Sequence, residues 1–156
     1  MTAGFGQTTQ ENQELGRAWL TLCVALAAHV VDEAANDFLG VYNPTAEVLR
    51  VRLPWLPVPV FRFELWIAGL VVAIVALWSL SPFVFRGSGW VRPLAYALGI
   101  MMAFNAAGHT VGTIFGRTVE SLRFDRPMPG FYSSPALMAA SLYLLACLRC
   151  SRRESH

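Results

Sequence analysis

Four apolar runs, separated by polar stretches, set the pattern of the chain. The first extends from Ala18 to Val31 with His29 inside it. Alone it is shorter than the roughly 20 residues a bilayer crossing needs. A spanning helix must therefore carry Asp32 and Glu33 with it, and the expected element covers about residues 15–40. The second covers about 63–85; its body, Leu65 to Leu80, has no charge, Glu64 stands at its entrance, and Arg86 and Gly87 end it. The third starts near Trp90 and Pro93, proline being favoured in a first turn, and runs to about Arg117. The fourth covers about 131–150, with Arg149, Arg152 and Arg153 at its far end.

Between the runs, residues 41–62 form a long connection in which Pro54, Pro57 and Pro59 exclude a regular helix. It is either an interfacial linker with Trp55 at the membrane surface or a lid, since loops of this length usually serve a function. Residues 1–14 read as a short polar tail, disordered or interfacial, and no positively charged segment marks a cleavable signal peptide there. Residues 118–130 are polar, and 151–156 form a basic C-terminal tail. The expected fold is all-α: one domain over 15–150, a four-helix transmembrane bundle with a polar intramembrane pocket.

Composition agrees with an integral membrane protein. The chain has 156 residues, 55% hydrophobic and 14% charged, where soluble domains are nearer about 25% charged. A net charge of +2 is too small to point to nucleic acid. The twelve basic residues are all arginine; they divide equally between the two ends of the expected bundle and do not orient it. Cys23, Cys147 and Cys150 are odd in number and fall in expected helices, which argues against a disulfide framework. Cys147-x-x-Cys150 sits at a helix end and reads as small apolar residues, with a metal or redox pair as the alternative.

The candidate chemistry lies in the first and third runs. An acid at the centre of a membrane helix costs about 2.5–3.5 kcal/mol on insertion scales, against about −0.3 to −0.6 for each Leu, Ile, Phe or Val. His29 and Glu33 are four apart, share a helix face and have Asp32 beside them. Asn105 and His109 repeat the spacing on the third helix. Helices one and three cross in the same direction. Entering at Ala18 and Leu94, they carry His29 and Asn105 to about 16 Å depth, and Glu33 and His109 to about 22 Å, at 1.5 Å per residue. The two polar pairs are therefore level, and are expected to face each other across a contact lined by Gly108, Gly112 and Gly116.

Interhelical hydrogen bonding alone returns only about 0.6 kcal/mol per bond in a measured membrane protein, little against the insertion cost. The chemistry expected is acid–base catalysis on a small lipophilic substrate entering from the bilayer, of isomerase, cyclase or hydrolase type. His109 or His29 serves as base, Glu33 or Asp32 as acid, and Asn105 orients the substrate. Asn36, Trp55, Glu64, Thr113, Arg117 and Tyr132 are the candidates for contacting it, with Ser133 and Ser134 near the mouth. A second reading gives His29, Glu33 and His109 to a single divalent metal, zinc or iron; the chain lacks H-E-x-x-H, and its third histidine, His156, lies in the tail. The cofactor expectation is thus no cofactor or one such ion. A third is non-enzymatic: lipid binding or a proton or ion relay. Expected partners are membrane lipid and the hydrophobic substrate, and a second copy through the glycine ridge.

His29-Val-Val-Asp32-Glu33 followed by Asn105-Ala-Ala-Gly-His109 resembles the HXXEE-motif family of small bacterial integral membrane proteins, over about residues 15–120. The chain departs from that pattern in having Asp32 where the family has its first Glu, which shortens the carboxylate's reach. The resemblance implies functional residues at these positions and location in a bacterial cytoplasmic membrane, and no particular reaction. The layout is also remotely similar to sterol isomerases of the emopamil-binding-protein type, which place His and Glu in an intramembrane pocket.

Overall fold

A computed structural model describes residues 3–119, 122–124 and 127–153. Among these, the fold is entirely helical: α1 (Ala3–Ala35), α2 (Phe38–Arg52), α3 (Phe63–Ser79), the single-turn α4 (Ser81–Phe85), α5 (Val91–Phe115) and α6 (Ser134–Arg153). Three segments are long and apolar enough to cross a membrane: Gln10–Ala35, Phe63–Phe85 and Val91–Phe115. Ser134–Cys150 is a shorter apolar helix.

The buried stripe of α1 follows helical spacing through Leu15, Ala18, Leu22, Ala25 and Leu26. It packs with Ala95, Leu98 and Met102 of α5 and Leu137, Ala140 and Leu144 of α6 into one core. Continued by three and four residues, the same stripe reaches His29 and Glu33, so the polar pair is buried because it lies on the core face. Helix α6 packs against both α1 and α5 and stands largely between them. A Cβ on Gly99 would lie 3.0 Å from Leu145, so its absence brings α5 close to α6. The outer face of α3 remains uncovered, with Leu65, Val72 and Val75 each more than 60% exposed. Such an apolar exterior calls for a non-aqueous surrounding.

The chain differs from expectation in several places. The helix expected to reach residue 40 stops at Ala35, with Asp37 in a left-handed conformation before α2, and the one expected over 63–85 is divided at Leu80. Helix α1 begins at Ala3, so the polar stretch up to Glu14, expected as a tail, is helical where described; residues 1–2 lie outside the described residues. Likewise α6 continues to Arg153, and the rest of the expected C-terminal tail, residues 154–156, lies outside them. The connection 41–62 is helical over its first half, as part of α2. Gly40-Val-Tyr-Asn-Pro44 reads as a turn, but Phe38, Val41, Tyr42 and Thr45 recur at helical spacing on one side, and that packing outweighs the hydrogen bond that Pro44 cannot donate. Only the proline-rich residues 53–62 stay irregular. Asn43 holds them by a two-way bond to the backbone of Phe61, and Tyr42 donates to the carbonyl of Pro59.

Between α3 and α4, Pro82 has no N–H to give the carbonyl of Trp78. The Ser81 hydroxyl donates to that oxygen at 2.6 Å instead. Trp19 of α1 donates its indole N–H to the Leu77 carbonyl at 3.1 Å, tying the two helices together.

Candidate functional site

At the end of the core stripe, α1 presents His29 and Glu33, and the facing end of α5 presents Asn105 and His109. His29, Glu33 and His109 are each less than 5% exposed. Glu33 Oε1 lies 3.1 Å from His109 Nε2 and 3.4 Å from His29 Nε2. His29 Nε2 is also 3.1 Å from Asn105 Oδ1. The two imidazoles meet edge to face with centroids 4.8 Å apart. The level match of the two polar pairs therefore appears as direct contact. The glycines do not supply it: a Cβ on Gly108 would meet nothing within 4 Å, Gly112 is covered by Met128, and Gly116 caps α5 in a left-handed conformation with φ 64°.

Asp32 points to a different partner. Its Oδ2 accepts the Ser133 backbone N–H at 2.8 Å and the Ser133 hydroxyl at 2.7 Å. A carboxylate of α1 thus satisfies the N-terminus of α6, where the helix dipole favours negative charge. Asn36 donates to Asp32 Oδ1 and fixes the other oxygen.

That arrangement sets the tautomer of His29. The Ser133 hydroxyl has one proton, and two of its neighbours, Asp32 Oδ2 and the Gly130 carbonyl, are acceptors. With that proton given to one of them, Ser133 Oγ accepts from His29 Nδ1 at 2.8 Å. His29 Nδ1 therefore carries hydrogen, while Nε2 lies 3.1 Å from Asn105 Oδ1 and 3.4 Å from Glu33 Oε1, both acceptors.

Gly130 closes the site from above. Its φ of 85° suits glycine, and a Cβ there would lie 2.8 Å from His109 Cε1 and 2.9 Å from His29 Cε1. The turn before α6 thus lays bare backbone on both rings. It is held by Thr113, whose hydroxyl accepts the Met128 N–H at 3.0 Å, and by Ser134, which donates to the Gly130 carbonyl at 2.7 Å.

Beside the cluster lies a cavity of about 340 Å³. One wall is the inner face of α2, with Phe38, Val41, Tyr42 and Thr45; the other is α5, with Phe104, Asn105, Gly108, His109 and Val111. Gly112, Arg117, Thr118 and Met128 also line it. The bonded hydroxyls of Thr45 and Thr118 give one part of it a polar character. Phe38 stacks on Tyr42 and Trp66 and tilts against His109, with centroids 5.8 Å apart. Burial raises the Tyr42 phenol above its ordinary pKa, keeping it a donor to Pro59.

Of the other expected substrate contacts, Arg117 lines this cavity. Asn36 is bound to Asp32 and Thr113 to Met128. Trp55 is exposed on the irregular segment, Glu64 pairs on the surface with Arg62, and Tyr132 is exposed and packs on Phe131. None of these three belongs to the cavity lining. Sequence reasoning placed Ser133 near the mouth but not on His29, and it missed Gly130 and the α2 wall. The Phe38–Tyr42 spacing of four and the Pro129-Gly130 turn ahead of two serines were the available signals. Comparison with known proteins gives no match to a family model, a curated protein or a solved structure.

Proposed function

We propose that this protein is a four-helix membrane bundle of the HXXEE-motif type, resident in a bacterial cytoplasmic membrane. In this reading it is an enzyme that performs acid–base chemistry on a small lipophilic molecule. One observation carries the reading: His109 both shares the Glu33 oxygen with His29 and forms part of the wall of the apolar cavity. The substrate enters between α2 and α5 and lies along the glycine-smoothed face at Gly108. His109 removes or delivers a proton there, Glu33 exchanges it, and Asn105 holds a polar atom of the substrate. His29, fixed through Ser133 and Asp32, positions the Glu33 carboxylate. Isomerisation, cyclisation and hydrolysis all run on such a pair.

The test compares total lipid extracts of membranes carrying the wild-type chain or Glu33→Gln by mass spectrometry. The expected result is a lipid species converted by the wild type and about 10²–10⁴-fold more slowly by the variant. Full turnover by a folded Glu33→Gln protein would remove this reading. Unaltered lipid together with protein-dependent proton flux in liposomes would replace it with a relay.

A further inference from the structure

We infer that His29 Nε2, Glu33 Oε1 and His109 Nε2 form a binding site for one divalent transition-metal ion of the zinc or iron(II) class. The inference deepens the reading above, on whose residues it rests, but it does not depend on the reaction. These side chains each offer one ligand atom, and the ligand atoms lie within 4.8 Å of one another. Ligands held at about 2.0–2.1 Å from a tetrahedral ion are themselves roughly 3.3 Å apart. The two separations to Glu33 Oε1, 3.1 and 3.4 Å, bracket that value.

Hydrogen bonding leaves one of these atoms, Glu33 Oε1, unanswered. Glu33 Oε1 is buried and accepts no hydrogen bond among the described residues, although two imidazole nitrogens stand beside it. A hydrogen on His29 Nε2 would be directed at Asn105 Oδ1 rather than at Glu33. A buried carboxylate oxygen without a donor is costly, and a cation between it and two imidazole lone pairs answers that cost.

The surroundings of His29 fit as well, whereas His109 Nδ1 is buried without a partner among the described residues. Metal-bound histidines usually donate their second N–H to a neighbouring acceptor, which fixes the tautomer. His29 Nδ1 does this to Ser133, itself held by Asp32. Two histidines and one carboxylate are a ligand set of catalytic zinc and of non-haem iron, with a position left open. That position falls to Asn105 Oδ1 or to a molecule in the cavity that Asn105 and His109 line.

The experiment uses the full chain, carrying an affinity tag without histidine or cysteine and purified in detergent without chelators. Metal content is measured by inductively coupled plasma mass spectrometry, before and after incubation with zinc or with anaerobic ferrous iron. We expect one ion per chain, lost in Glu33→Gln and His109→Ala and retained in the Cys147→Ser/Cys150→Ser double variant. Ser133→Ala keeps all three ligands and lowers zinc affinity about 10–100-fold, as loss of an outer-shell partner does; it serves where a ligand variant fails to fold. Folded wild-type protein that takes up no stoichiometric ion overturns the inference. So does an ion that survives Glu33→Gln and His109→Ala, or one lost only with the cysteines. Lipid turnover that needs Glu33 in a protein without metal would leave the acid–base reading standing alone. A bound ion without any lipid conversion would leave the site without that reaction.

Discussion

Glu33 and Gly130 govern the site at the scale of single residues. The carboxylate is where two imidazoles converge, and the glycine is what lets the chain cover them. The His29/Glu33 and Asn105/His109 spacings were legible, because a helix period of 3.6 puts positions four apart on one face. Gly130 was not legible, since its importance arises from a turn that arrives from more than a hundred residues after His29. Ser133 was visible only as a polar residue near a helix start; its bond to His29 depends on where α6 begins relative to α1. We predict that Gly130→Ala lowers stability by at least about 1–2 kcal/mol, the cost of a left-handed conformation for an L-residue. The two ring contacts of its Cβ add to that. Thermal unfolding in detergent measures it, and an unchanged midpoint would show that the turn does not press on the rings.

Two helix ends and one helix face account for the geometry at the scale of elements. The third run starts at Val91 and stops at Phe115, close to the span of about 90–117 read from its apolar pattern and Pro93. Helix α2 was hidden by turn-like residues at Gly40 and Pro44, and with it one wall of the cavity. The glycine spacing was legible as a smooth face, but sequence alone does not say what a smooth face meets. Here Gly108 meets open space. Gly108→Leu is therefore expected to leave unfolding nearly unchanged while filling the cavity and abolishing turnover; comparing melting curves with lipid conversion checks both halves. Asp32 acts at the level of the element too. Asp32→Ala removes the acceptor at the start of α6 and should cost about 0.5–2 kcal/mol, the range for loss of a helix cap. Asp32→Asn keeps an acceptor oxygen and should recover part of that in the same unfolding assay.

At the scale of the whole molecule, an apolar exterior and a buried polar end belong together. The core stripe of α1 becomes polar at His29 and Glu33 without leaving the core face, so the cluster is buried and lies beside the apolar cavity. Parallel travel of α1 and α5 brings their patches level, and α6, standing largely between them, supplies the serine and the glycine that finish the site. The most direct test is solid-state NMR in lipid bilayers, with ¹⁵N-histidine and ¹³C-glutamate labels. Magnetisation should pass from the Glu33 carboxyl carbon to the ring nitrogens of both His29 and His109, and Glu33→Gln should remove both transfers from the carboxylate region. Transfer to His29 alone, the neighbour on the same helix, would mean that the two helices do not join their polar patches, and the account would fail.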